Sequence, residues 1–394
     1  MHICHVITRL IIGGAQENTL LTCEGLVRRG HEVTLVAGPD TGAEGTLWPW
    51  AQDCCTRVVR IASLRRNIHP LDDLRCVGDL ARCFRELAPQ VVHTHSSKAG
   101  IVGRWAAVRA GVPAILHTIH GMSFNRTQRW SVRTLYRLLE RHAARHTHAL
   151  VSVADAMTEQ AVAAGIAPRE KFTTVYSGMR TEWFRPDPEM RCQVRAEWGV
   201  SPQDVVVGTV ARLFKNKGYD ELAPAVPRVL EKAPQCFFVW VGGGPQRRRY
   251  EMMLEGSGVR DRVRFIGLVA PAGIPRLLNG FDLLVHTSRW EGLPRAAVQA
   301  LLTEVPVVAY PIDGTPEVVI PDKTGLLVKA FDFEPLADGI VELANAPTRR
   351  QNMGRYGRTL CLNRFDHEAM VEKIESLYET VVAGRDRGIQ GSRG

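Results

Sequence analysis

Short apolar, β-branched runs alternate with longer helical patterns along this chain, and that alternation leaves few folds open to it. HICHVIT is followed by a helical stretch through Leu20 to Arg29 and then by HEVTLVAG; QVVHTH, a helix around Ala99 to Ala110 and AILHTIH repeat the order. The rhythm resumes with DVVVGTV, a helix from Tyr219 to Lys232, CFFVWVGGG, VRFIGLV, DLLVHTS, VPVVAYP and TGLLV. Strand, helix and strand in this sequence build parallel sheets covered by helices. The expected fold class is α/β, with two Rossmann-like doubly wound domains facing across a cleft.

A length of 394 residues also asks for more than one core. Between the two series lies WFRPDPEMRCQVRAEWGVSPQD, rich in Pro and charge, which places a hinge near residues 183–202. The expected division is a first domain over 1–185, a linker over 186–202 and a second domain over 203–365. A terminal helix over 366–383 should pack back toward the first domain, because Met370, Ile374, Leu377, Tyr378 and Val381 share one face. The Gly- and Arg-rich end, 384–394, reads as a disordered tail.

Charge is local rather than general. Of the net +9, residues 101–150 supply +7, eight Arg less one Glu. Arg129, Arg133, Arg137, Arg141 and Arg145 recur every four positions on a helix expected over 126–148, with Leu135, Leu138 and Leu139 left for another face. Such a stripe suits an anionic surface, phospholipid headgroups or a phosphate-bearing acceptor, and equally a solvated face without a partner. Nucleic acid is not expected, since no zinc-finger, RRM-like or helix-turn-helix pattern is present. The nine cysteines are scattered without metal-ligand spacing, which points to a reducing cytoplasm, and Cys76 and Cys83 read as one core face of a helix. With no apolar run near the ~18–20 residues of a membrane span, the chain reads as soluble or peripheral on the cytoplasmic membrane face.

Three stretches carry candidate chemistry. LIIGGAQENTLL opens a helix after the first strand, so Gly13 and Gly14 allow an anion close to free N–H groups; alone, such a pair is equally a simple turn. ARLFKNKG places Arg212 and Lys217 after the first strand of the second series, where two cations can converge on a diphosphate or stand as surface charges. HTSRWEGLPRAAVQALL sets Glu291 at a strand end before a helix, with the Gly292 and Leu293 N–H groups beside it and Gln299 about two turns along. A carboxylate so placed can hold sugar hydroxyls.

In order and spacing, these motifs resemble the retaining GT-B glycosyltransferases of family 4 (glycosyl transferases group 1). The resemblance runs through GGA at 13–15, HTH at 93–95, His120-Gly121, SGMRTEWFRP at 177–186, ARLFKNKG at 211–218, VGGGP at 241–245, IGLV at 266–269, SRWEGLP at 288–294 and DGTPEVV at 313–319. It implies transfer of a hexose or N-acetylhexosamine from a nucleotide-diphosphate sugar, UDP-linked, to a glycan or polyprenyl-linked acceptor in envelope polysaccharide or glycoconjugate synthesis. Gly13, Gly14, Arg212, Lys217, Ile266, Glu291, Gly292, Leu293 and Gln299 would meet the donor; His95, Lys98 and His120 would face the acceptor. Glu291, Arg212, Lys217 and His120 would carry the chemistry. No cofactor is implied, and with no DxD sequence no metal. The family usually reads E-x7-E, and Gln299 replaces the second carboxylate, which commonly holds the donor ribose. Two other readings of the same architecture are a nucleotide-sugar epimerase of the UDP-N-acetylglucosamine 2-epimerase kind and a non-catalytic nucleotide-sugar-binding protein.

Overall fold

The computed structural model describes residues 1–40, 44–125 and 127–391 and divides into two compact units, Met1–Gly178 with His367–Gly394, and Met179–Asp366.

Unit 1 begins β1 (His2–Ile7), α1 (Gly14–Arg28), β2 (Glu32–Ala37), α2 (Trp48–Cys54), β3 (Arg57–Arg60), α3 (Pro70–Leu87) and β4 (Val91–His95). It continues with α4 (Ser97–Ala110), β5 (Ala114–Ile119), α5 (Trp130–Arg145), β6 (Ala149–Ser152), α6 (Asp155–Ala163) and β7 (Phe172–Thr174). Its parallel sheet runs β3-β2-β1-β4-β5-β6-β7, so the strand order reverses between β1 and β4. Strands β1, β2, β4 and β5 coincide with apolar runs legible in the sequence. The sequence reading missed β3, β6 and β7, which are three or four residues long and, in RVVR and FTT, partly exposed.

Unit 2 comprises α7 (Pro188–Trp198), β8 (Val205–Val210), α8 (Tyr219–Lys232), β9 (Cys236–Val241), α9 (Arg247–Gly256), β10 (Val263–Gly267) and α10 (Ile274–Asn279). Then follow β11 (Leu283–His286), α11 (Arg295–Leu302), β12 (Val307–Ala309), β13 (Gly325–Leu327), α12 (Phe333–Ala344) and α13 (Pro347–Arg364). Its sheet, also parallel, runs β10-β9-β8-β11-β12-β13 and reverses between β8 and β11. The chain then re-enters unit 1 through α14 (His367–Gly391), which lies against α1 and sends Ile374 and Tyr378 into the core that Leu20 and Leu26 share.

The expected linker over 186–202 is corrected by this structure: those residues are mostly α7, an integral part of unit 2, and the units divide instead at Gly178/Met179 and Asp366/His367. Pro and charge there serve a helix. Pro188 sits in the first turn, where its missing N–H costs nothing, and the Asp187 carboxylate caps by accepting from Met190 N at 3.0 Å. The arginines converge on one carboxylate, Asp282, which accepts from Arg191 at 2.6 Å, from Arg195 at 2.8 Å and from Val206 N at 2.8 Å. Trp198 packs on Phe281 with ring centroids 5.8 Å apart. At the other end, α14 runs as helix to Gly391 where the sequence suggested a disordered tail from 384; residues 392–394 of that tail lie outside the described residues. Among the described residues no helix is long and apolar enough to cross a membrane.

Because Arg195 is buried and has Asp282 as its counter-charge, Asp282→Ala should cost unit 2 about 3 kcal/mol, since a buried ion pair broken on one side strands the other charge. Urea unfolding of the variant against the parent at pH 7 measures this; an unchanged midpoint would return α7 to the status of a loosely held connector.

Candidate active site

In open parallel sheets the loops that leave the strand ends diverge where strand order reverses, opening a crevice there. In unit 2 those strands are β8 and β11, and their loops carry Arg212 and Lys217 on one side and Ser288 and Glu291 on the other.

Lys217 ends a one-turn helix, Lys215–Lys217, and is followed by Gly218 at φ 72°. A Cβ at Gly218 would stand 2.0 Å from the Thr287 carbonyl oxygen, so glycine lets the two loops touch. Thr287 fastens the contact, its hydroxyl donating to the Lys217 carbonyl at 2.8 Å. The Lys217 ammonium donates to Ser288 Oγ at 3.1 Å and forms an ion pair with Glu291. His286, the last residue of β11, brings Nε2 to 3.4 Å from the same carboxylate oxygen. Burial alone would raise the Glu291 carboxyl, but the Lys217 charge and the His286 ring together outweigh it and hold the group well below the usual carboxylate range.

The backbone here is fixed as firmly as the side chains. Glu291 N donates to Asp313 Oδ2 at 2.7 Å, and Gly314 N donates to Gly292 O at 3.1 Å, so the DGTPEVV segment braces the EGLP turn. Asp313 itself adopts φ 52°. Arg212 stands above the Phe214 ring, 4.9 Å from its centroid. Its loop rests on the glycine run after β9, where Leu213 N donates to Gly243 O at 2.8 Å and a Cβ at Gly242 would meet the Ala211 carbonyl at 2.1 Å. Ile266, half-buried in edge strand β10, adjoins this run, since Gly242 N bonds Gly267 O at 2.8 Å. Leu293 is buried in the turn that leads into α11, and Gln299 is the buried fifth residue of that eight-residue helix. The helix starts only at Arg295, so Gln299 lies about one turn inside it rather than two.

Unit 1 places its candidates at the corresponding reversal, β1 and β4. Gly13 precedes α1, which begins at Gly14. His95 ends β4, and its Nδ1 meets His120 Nε2 at 3.0 Å. His120 lines a cleft with Ser96, Ser97 and Thr118. Lys98, in the first turn of α4, is already engaged, paired with Asp73 and donating to the Asn67 carbonyl at 3.1 Å. It lines a cavity of about 370 Å³ whose walls also include Arg9, Arg66 and Ser97 together with Ile101, Trp105, Tyr136 and Leu139.

The arginine stripe is confirmed as helix but shifted: α5 starts at Trp130, because an Asn125-centred turn, with Thr127 N donating to Asn125 Oδ1 at 3.0 Å, precedes it, and Arg126 lies outside the described residues. Arg129, Arg133, Arg137, Arg141 and Arg145 are all exposed. So are Trp130, Leu135 and Leu138, at 76%, 53% and 56%, so these leucines do not form the core face. That role falls to Glu140, Ala143 and Ala144, with Glu140 bonded to buried Arg104. Ile68, which also lines the cavity, and Leu71 and Leu74 in α3 are exposed as well.

Sequence reading named Glu291, Lys217 and Arg212 but missed His286 and Asp313, although Asp313 stands in a motif it singled out. It missed equally that His5, His93 and His95, spread over two strands, come together with ligand nitrogens within 4.8 Å of one another.

Comparison with known proteins agrees with this geometry. Residues 191–360 match the family described as Glycosyl transferases group 1, and residues 13–178 match the Glycosyl transferase 4-like domain. The chain is similar to the UDP-Gal:alpha-D-GlcNAc-diphosphoundecaprenol alpha-1,3-galactosyltransferase of Escherichia coli, 28% identical over 97% of this chain and 98% of that one. It is also similar to the capsular polysaccharide biosynthesis glycosyltransferase CapM of Staphylococcus aureus, 22% identical over 82% and 85%. Among solved structures, the Anabaena HepE protein in complex with UDP and glucose shares the fold, with a TM-score of 0.84 at 21% identity over 96% of this chain and 100% of that one.

A carboxylate held ionised by its folded surroundings stabilises the fold above its unfolded pKa of about 4.3, and that stabilisation is lost as pH falls toward the lower folded value. The stability difference between the parent and Glu291→Gln should therefore be largest near neutral pH and shrink steadily below about pH 4. Chemical denaturation at pH 7, 5 and 3.5 follows it; a difference independent of pH would mean that Glu291 is not held in its charged form.

Proposed function

Since the chain belongs to the glycosyl transferases group 1 family and is a glycosyltransferase of the GT-B fold, we propose that it moves a sugar, with retention at the anomeric carbon, from a UDP-linked donor to a lipid-linked diphosphate glycan. The observation that carries this is the Lys217–Glu291 ion pair joining the two loops where unit 2's strand order reverses, with Arg212 on the same loop as Lys217. The full-length likeness to a transferase named for a UDP-galactose donor and a diphosphoundecaprenol acceptor supports the substrate classes.

Breaking the bond from the anomeric carbon to the diphosphate moves negative charge onto the leaving phosphate and leaves the sugar oxocarbenium-like. Cations preorganised at the phosphate stabilise the first change. Arg212 offers a forked contact and Lys217 a point charge, which supports a reaction without a metal ion. Lys217 is also the partner that keeps Glu291 anionic, so one ammonium serves both ends of the polarising bond. Glu291 orients the sugar hydroxyls and steadies positive charge on the ring. The acceptor hydroxyl attacks from the face the phosphate leaves, and its proton passes to a departing phosphate oxygen. His120 belongs to the acceptor side, with His95 buried behind it and bonded through both ring nitrogens, and Gln299, an amide that both donates and accepts, would meet the donor ribose.

The acceptor's lipid places the reaction at a membrane surface. The arginines of α5 supply charge complementary to anionic headgroups, at about 1 kcal/mol each near the surface. Trp130, Leu135 and Leu138 on α5, and Ile68, Leu71 and Leu74 at α3, supply exposed apolar contact that lipid would cover.

With UDP-sugars and an undecaprenyl-diphosphate sugar, the product should carry the donor's anomeric configuration by NMR, form in the presence of EDTA, and fall about 100-fold or more in rate in Lys217→Ala. An inverted product, or conversion of donor alone into an epimer, would overturn the reading. Flotation with liposomes should recover the protein on anionic but not neutral vesicles, and binding should weaken at high salt because exposed charges are screened. Equal recovery on both would remove the membrane role of α5.

A further inference from the structure

His5 pairs in register with His93, and His95 follows two residues along β4, so all three rings project from one face of the unit 1 sheet, fully or almost fully buried. They form part of an unbroken file. Thr118 Oγ1 lies 2.7 Å from His93 Nε2, and His93 Nδ1 meets the Tyr378 hydroxyl carried in by α14. That hydroxyl lies 3.4 Å from His5 Nε2; His5 Nδ1 lies 2.8 Å from His95 Nε2; His95 Nδ1 lies 3.0 Å from His120 Nε2.

Desolvation lowers the His5 ring to about 3 and drives His93 and His95 well below their ordinary value, so these rings are neutral. A neutral imidazole has one N–H and one lone-pair nitrogen, and a hydroxyl has a single proton. Each link in the file needs one proton, and only two arrangements supply it everywhere while also bonding the Tyr378 proton within the file. If Tyr378 donates to His5, then His93, His5, His95 and His120 must all carry their protons on Nδ1, and Thr118 donates to His93. If Tyr378 donates to His93, all four rings carry theirs on Nε2, and Thr118 accepts. A mixed set either leaves a link with two protons or none, or has His93 and His5 both donate to Tyr378 and turns the buried phenol proton out of the file, at the cost of an unmet buried polar group.

We propose that His5, His93, His95 and Tyr378 are positioning residues that set the tautomer of His120, the whole file switching together between its two proton arrangements. His120 can then meet a substrate hydroxyl as donor in one arrangement or as acceptor in the other, and the switch moves protons within existing hydrogen bonds without building charge in the interior. The proposal rests on His120 facing substrate in the transferase described above. A metal ion is a poorer occupant of the three-histidine cluster, because 2.8 Å between two nitrogens is shorter than the ~3.3 Å expected of two ligands about 2.0 Å from one tetrahedral zinc.

Nitrogen NMR of the full chain labelled with ¹⁵N-histidine, at pH 7 and without substrate, reads the tautomers directly. The expected result is four neutral rings sharing one tautomer, or exchanging between the two as a set. Opposite tautomers within the file, a charged His5, His93 or His95, or zinc bound in stoichiometric amount would overturn the proposal. Tyr378→Phe keeps the ring and cuts the file; it should shift the His120 nitrogen signals and lower kcat about 10-fold while the donor KM stays within about 2-fold. Unchanged His120 signals and kcat in that variant would also overturn it, and should the variant not fold, the parent spectrum decides alone. A shared tautomer in a chain that transfers no sugar would sink the transferase reading and leave the file standing; mixed tautomers in an active enzyme would do the reverse.

Discussion

A carboxylate withdrawn from water is driven toward its neutral acid, and the chemistry assigned to unit 2 needs one that stays charged. Lys217 is what makes this possible, and much of the surrounding backbone exists to keep Lys217 and Glu291 in reach of one another. Gly218 allows the β8 and β11 loops to touch, Thr287 ties down the Lys217 carbonyl, and Asp313 anchors the Glu291 amide. None of these groups needs to meet a substrate. Their work is to fix two charges whose attraction would otherwise be satisfied by any geometry, including unproductive ones.

Unit 1 meets the same constraint in the opposite way. At its own strand reversal it places four imidazoles and a phenol, groups able to stay neutral at physiological pH, and satisfies each with a neighbour of the same kind. The cost of burial is met by hydrogen bonding rather than by an opposite charge. Where charge does enter the interior of unit 1, as at Arg104, it is paired at once with Glu140. Unit 2 therefore holds the fixed charges suited to a diphosphate, and unit 1 the neutral donors and acceptors suited to sugar hydroxyls.

The fold was legible wherever a strand is long and buried on both faces, as in DVVVGTV or AILHTIH, because such a strand must be a continuous apolar run. RVVR and FTT gave no such signal, being short and half-exposed. The α7 segment was misread for a related reason. Its prolines and arginines look like a linker until Asp282, roughly ninety positions away, is brought against them. The approach of Lys217 to Glu291 was legible because loop, turn and helix start are contiguous in SRWEGLP and ARLFKNKG. His286 beside Glu291, and Tyr378 against a His5 that lies 373 positions earlier, are products of tertiary structure and leave no local trace.

Gln299 follows from the same electrostatics. In α11 it is 9% exposed, close to the turn that carries Glu291. A carboxylate there would be a second buried negative charge needing its own cation, or a share of Lys217. An amide places no such demand and leaves Lys217 paired with Glu291. What is given up is a charged acceptor, whose hydrogen bonds are roughly twice the strength of neutral ones. On the proposed reading the substitution would bear on how tightly the nucleoside is held and would leave Glu291 untouched.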